Sequence, residues 1–208
     1  MATYTCADDS ESEVAAVVAP DGKKSILVRD SHEGYLELAL RKGAAVIKLP
    51  PFNWPCPEIL WAPDSKAFFV NYSDGGAVGN FHVMVFHLKG EGFTTYEPTR
   101  AAEADFLKNY PKCFQPEEPN MAGVAWLSNS SRLLIAVEVL PHTNCDMMGT
   151  FSAYVVDVDS GRILAKHGQL EAKKLFRPLL GPELQNSNDE CFLVPGACAI
   201  PDLHDSAK

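Results

Sequence analysis

Residues 57–96 read PEILWAPDSKAFFVNYSDGGAVGNFHVMVFHLKGEGFTTY. Four strand-length runs follow one another here. Residues 59–62 end in the turn Pro63-Asp64-Ser65-Lys66, and residues 67–72 end in a Gly-rich loop over 73–80. Residues 81–88 turn at Lys89-Gly90, and residues 92–96 close the set. Each run is rich in β-branched and aromatic residues and is bounded by turn formers, which predicts a four-stranded antiparallel meander.

Copies of this pattern lie on both sides. Before it, Ala19-Pro20-Asp21-Gly22-Lys23 matches Ala62-Pro63-Asp64-Ser65-Lys66 at an offset of 43 positions. In the first of these turns Pro presets φ, Asp bonds locally and Gly accepts positive φ. After it, VAWLSNSSRLLIAV places Trp126 where Trp61 stands in the opening stretch. The expected units are 13–50, 57–97 and 123–168, within one β domain spanning 1–208. A short helix is expected near 99–110, with Thr99 as N-cap and Pro111 as stop. The tail, 169–208, does not repeat the pattern; LEAKKLFRPLL predicts a short helix broken at Pro178. Residues 1–12 read as a polar, loosely held arm apart from Cys6.

The fold class expected is therefore all-β, with three four-stranded antiparallel meanders. LWAPDSKAFFV, VAWLSNSSRLLIAV and AYVVDVDSGRIL resemble blades of the WD-type and Tol-type β-propellers. Those families place an apolar-aromatic first strand before a Pro-Asp-Gly-Lys-like turn and close the third strand on Asp-x-x-Gly-Lys/Arg. The resemblance covers residues 14–168 and implies an incomplete or distorted propeller, because closed propellers carry about four to eight blades. A β-sandwich of meander topology is the competing architecture.

Composition narrows the function classes. The chain has 208 residues, net charge −9 and 46% hydrophobic residues. An acidic surface disfavours nucleic acid and anionic membranes as partners, since both demand Lys/Arg patches. No run approaches the ~20 apolar residues of a membrane span. The start of this chain lacks a basic n-region and an apolar h-region, so a signal peptide, if the protein is exported, is expected to have been removed. Six cysteines (Cys6, Cys56, Cys113, Cys145, Cys191 and Cys198) favour a disulfide framework in an oxidising, periplasmic or extracellular compartment. Six cysteines admit fifteen pairings; Cys191–Cys198 is the expected local bridge, because Pro195-Gly196 can turn the chain between them. Six reduced thiols in a cytosolic protein is the opposing reading.

Meander topology sorts the connections by face. The strand one–two and three–four turns (PDGKK, PDSK, SNSS, RKG, KGEG, DSG) are tight and share one end. The loops DSHEG, SDGGAVGN and PHTNCDMMGT, with the links PPFNWPCP and 97–122, are long and share the other. Irregular loops on a β scaffold carry function. The expected partner-binding face thus holds Phe52, Asn53, Trp54, Asp74, His142, Asn144, Asp146, Met147 and Met148, stiffened by Cys56, Cys113 and Cys145.

Catalytic and metal signatures are weak. There is no G-x-S-x-G, P-loop or H-E-x-x-H. His82 and His87 lie five apart on a strand and point to opposite faces. Asp157-Val158-Asp159-Ser160-Gly161 reads as a strand-end turn and not a calcium loop. Trp61 and Trp126 read as core. Asn71-Tyr72-Ser73 and Asn129-Ser130-Ser131 match the glycosylation sequon. No cofactor or metal is expected. The leading reading is a non-enzymatic envelope or secreted protein that binds another protein, most concretely an inhibitor or immunity protein blocking a basic toxin enzyme. The alternatives are a hydrolase or lyase using His142, Asp146 and Asp74, and an accessory propeller fragment of a larger assembly.

Overall fold

A computed structural model describes residues 3–4, 15–30, 36–51, 57–73, 80–108, 118–140 and 147–187. The elements in chain order are strands β1 (Thr3–Tyr4), β2 (Ala15–Val18), β3 (Lys24–Asp30), β4 (Leu36–Lys42), β5 (Ala45–Lys48), β6 (Glu58–Trp61), β7 (Ala67–Ser73), β8 (Phe81–Lys89) and β9 (Gly92–Tyr96), then helix α1 (Arg100–Leu107). Strands β10 (Asn120–Ser128), β11 (Arg132–Glu138), β12 (Phe151–Asp157) and β13 (Ile163–Gly168) follow, then α2 (Gln169–Phe176), a 3-10 turn (Arg177–Leu179) and α3 (Pro182–Asn186).

The strands form three antiparallel sheets, each running in chain order: β2-β3-β4-β5, β6-β7-β8-β9 and β10-β11-β12-β13. The expected meanders are present, in a propeller-like arrangement. The N-terminal arm departs from expectation. Thr3 and Tyr4 pair with Leu60 and Ile59, adding a fifth strand to the second sheet along β6. A two-residue strand leaves no hydrophobic period to read, so composition alone suggested a free arm.

Alternation along the strands explains how the sheets stack. In β8, Val83 and Val85 point one way while Met84, Phe86 and Leu88 point the other. Phe86 joins Val17, Ile26, Val28, Leu38, Leu40, Trp61 and Phe68 in a core between the first and second sheets. Val83 and Val85 join Leu60, Phe69, Trp126, Leu133, Ile135 and Tyr154 between the second and third. The second sheet is thus buried on both faces, and β7 reads as a nearly continuous apolar run. The outer face of the third sheet is covered by Ala172, Phe176, Leu180 and Leu184, which pack on Leu134, Ala136, Phe151 and Ala153.

The expected helix near 99–110 is α1, which buries Ala102 and Phe106 at helical spacing against the core of the second and third sheets. Thr99 stands at its N-cap and its carbonyl accepts the Glu103 N–H at 2.9 Å, but its side chain makes no capping bond. Asp105 fastens the helix to the third sheet by accepting from Lys166 Nζ at 2.6 Å and the Tyr154 hydroxyl at 3.2 Å.

Candidate functional site

The two ends of the sheet stack differ in construction. At the tight-turn end the same bonds recur from sheet to sheet. Trp61 Nε1 donates to the Val17 carbonyl at 2.9 Å, and Trp126 Nε1 donates to the Leu60 carbonyl at 3.2 Å. Val17 and Leu60 are equivalent positions of successive units, as are Trp61 and Trp126. The turns are tied likewise. Asp21 N–H donates to Ser65 Oγ at 3.0 Å, and Ser130 Oγ donates to Asp64 Oδ2 at 2.9 Å. Lys42 Nζ reaches the Gly90 carbonyl. In the first sheet, Val18 occupies the Trp position and is 45% exposed. These contacts join successive sheets at this end.

The 157–161 segment behaves as a strand-end turn. Asp157 Oδ1 accepts from the Ser160 N–H at 2.9 Å and from its hydroxyl, and Gly161 takes φ +66°. Those hydrogen bonds hold the Asp157 carboxyl below the usual carboxylate range.

The opposite end, from which the long connections leave, rests on a buried polar layer. Asn71 is 3% exposed and bonds across the sheets, donating from Nδ2 to the Gly123 carbonyl at 2.9 Å and accepting the Gly123 N–H on Oδ1 at 2.8 Å. Its amide thereby mimics one rung of a β-ladder. It also donates to Glu58 Oε2 at 3.0 Å, directly across the strand pair. Both side-chain atoms are engaged, so Asn71 presents no sequon side chain at the surface. Gly123 lets the two sheets approach closely here. A Cβ at this position would stand 3.0 Å from the Phe69 ring and 3.1 Å from Val83.

A second amide–carboxylate pair lies in the third sheet. Asn120 and Glu138 are directly opposed in register, and Asn120 Nδ2 donates to Glu138 Oε2 at 3.3 Å. Asn120 Oδ1 accepts the Phe81 N–H at 3.2 Å, which ties β10 to the second sheet. Glu138 is only 7% exposed. Burial raises its pKa to about 7, against the Asn120 hydrogen bond that lowers it, and the nearby Glu183 charge adds to the rise. Gln169 completes the layer by accepting the Phe151 N–H on Oε1 at 3.0 Å.

Of the expected binding residues, Met147 and Met148 fall among the described residues. They form the turn that brings the chain back into β12, at the long-loop end, and both are half-buried. Met147 adopts φ +64°, uncommon for a residue with a side chain. Thr150 holds that geometry by donating to the Met147 carbonyl through both its N–H (3.1 Å) and its hydroxyl (2.7 Å). Phe52, Asn53, Trp54, Asp74, His142, Asn144 and Asp146 lie outside the described residues, as do Cys6, Cys56, Cys113, Cys145, Cys191 and Cys198. Met147 and Met148 thus stand at the long-loop end of the third sheet.

The sequence reading missed Glu138, Asn120, Asn71 and Glu58. A signal existed: polar residues inside apolar strands, such as Asn71 in AFFVNYS and Glu138 in RLLIAVE, must find partners when buried. It also missed a cleft of about 350 Å³ at the outer edge, where Tyr96, Glu97 and Arg100 face Val158, Asp159 and Gly161. Among the described residues no group of three or more His, Cys, Asp or Glu side chains is arranged to hold a metal ion. No described helix is long and apolar enough to cross a membrane.

Comparison with protein-family models, with curated proteins and with solved structures gave no match. The fold alone therefore defines the class, an all-β chain of three antiparallel meander sheets, the second extended by β1.

Proposed function

We propose that this chain is a non-enzymatic binding protein whose long-loop end engages another protein. The observation that carries this reading is the contrast between the two ends. Side-chain hydrogen bonds repeated from sheet to sheet tie the tight-turn end together. At the other end, from which the long connections leave, amide–carboxylate pairs form a buried hydrogen-bonded layer. A preorganised base of that kind lowers the entropic cost of binding. The net charge of −9 favours a basic partner and fast association at low salt. Enzymes that act on anionic polymers carry basic clefts, so a toxin enzyme of that kind is the partner class that fits, with this chain as its inhibitor or immunity protein. The propeller-blade kinship of the three units belongs to the same proposal, as does residence in an oxidising, extracytoplasmic compartment.

The test is affinity capture with the whole chain from the envelope and secreted fractions of the source cells, followed by calorimetry with the purified partner. One basic partner that binds at nanomolar Kd, with affinity falling as salt rises, supports the proposal. A small-molecule turnover by the chain alone, or an acidic partner whose binding is indifferent to salt, overturns it.

A further inference from the structure

His87 joins the second and third sheets at the tight-turn end, through both ring nitrogens. Nε2 lies 2.9 Å from the Ser130 carbonyl, in the β10–β11 turn. Nδ1 lies 3.3 Å from Asp159 Oδ1, in the β12–β13 turn. Both partners are acceptors only. A neutral imidazole has one N–H and one lone pair, so it can donate to one of them; an imidazolium donates to both. The ring also packs against Tyr96 at 5.0 Å between centroids, and its side chain is 18% exposed.

We propose that His87 is a proton-operated latch between the second and third sheets. Charged, it holds the Ser130 and Asp159 turns together on β8. On losing a proton to solvent it keeps the Nε2–H on the less exposed Ser130 carbonyl. Its Nδ1 lone pair then faces the Asp159 carboxylate and the β12–β13 turn is released. Asp159 and Tyr96 both line the 350 Å³ cleft, so movement of the β12–β13 turn changes the cleft's lining. The charged groups around it are Asp159 from the β12–β13 turn, Asp64 from the β6–β7 turn through Ser130, and Glu97 and Arg100 on the cleft's rim. This inference is independent of what the long-loop end binds.

Proton–nitrogen NMR of the whole chain between pH 5 and 8 tests it. The Ser160 and Gly161 amide resonances are expected to move with the same midpoint as the His87 ring. In His87→Gln, which retains a donor for the Ser130 carbonyl, that movement is expected to vanish. In Asp159→Asn the ring should still titrate while the two amides no longer follow it. Glu138→Gln, which removes the buried carboxyl whose pKa is raised to about 7, should leave the movement intact. Turn amides that titrate unchanged in His87→Gln, or stay still while the wild-type His87 ring titrates, would overturn the proposal.

Discussion

Trp126 faces the second sheet and donates its indole N–H to the carbonyl of Leu60 at 3.2 Å, one unit along from the same bond between Trp61 and Val17. Both indoles are buried, at 5% and 3% exposure, and both also pack on a phenylalanine of the second sheet. Trp126 lies 6.0 Å from Phe69 and Trp61 lies 4.9 Å from Phe68, centroid to centroid. Each indole thus supplies apolar area and places its own N–H on a carbonyl of the preceding sheet.

Trp126→Phe keeps most of that apolar area and removes the side-chain bond to the Leu60 carbonyl. The expected loss is about 0.5–1.5 kcal/mol, the net worth of one intramolecular hydrogen bond. Trp61→Phe should cost a similar amount. Urea unfolding followed by circular dichroism measures both, and a loss below about 0.5 kcal/mol would show that packing alone joins the sheets.

Gly123→Ala tests the closest approach of the second and third sheets. The added methyl meets the Phe69 ring at 3.0 Å and Val83 at 3.1 Å, so both side chains must give by a few tenths of an ångström. Overpacking of this kind costs about 1–3 kcal/mol. Asn71→Ala removes the paired bonds to the Gly123 backbone, and its cost should fall in the same range. Because the two positions share bonds, the double variant should cost less than the two single losses together.

Glu138→Gln bears on the pH dependence of stability. The folded-state pKa of Glu138 is raised to about 7 from the ordinary 4.5. The folded protein therefore holds this proton more tightly than the unfolded chain does. Its favourable contribution is complete below about pH 4.5 and is lost as pH rises to about 7. Glutamine mimics the protonated form, so the variant should be more stable than wild type at pH 8, by on the order of 2–3 kcal/mol. The difference should shrink to nothing near pH 4. Denaturant midpoints across this range provide the measurement.

Asp105→Asn acts in the opposite direction. The hydrogen bond from Lys166 holds the Asp105 carboxyl below its usual range, with the Lys166 charge and the Tyr154 hydroxyl acting in the same sense. The stability this supplies is present above about pH 4 and is lost as pH falls through the lower folded-state value. The variant should lose about 0.5–1 kcal/mol at pH 7, since the pair is partly exposed, and should match wild type near pH 2. Amide exchange should localise the effect to α1.

The architecture was legible because its signals are periodic. Strand-length apolar runs, Pro-Asp turns and the recurring Trp61 and Trp126 marked the three meanders and their order. Less was legible where a residue's role depends on a neighbouring sheet. Asn71 looked like a sequon because a one-dimensional pattern does not show that Gly123 lies opposite it. Thr99 fitted the N-cap position by residue type, yet its backbone is helical (φ −86°, ψ −23°) and its side chain makes no cap bond. Thr3 and Tyr4 pair with β6 through backbone groups that any sequence carries. His87 was correctly placed on the face opposite His82, but its two acceptors come from turns 43 and 72 positions away.

The central claim is that the long-loop end recognises a partner and the tight-turn end does not. Calorimetry with the captured partner, comparing charge removal at each end, tests it most directly. Asp74→Ala and Asp146→Ala are expected to weaken binding at least about tenfold, a change of about 1.4 kcal/mol or more. Lys23→Ala and Lys89→Ala, in the tight turns, are expected to leave Kd unchanged within about twofold. The reverse pattern, or equal losses at both ends, would contradict the account.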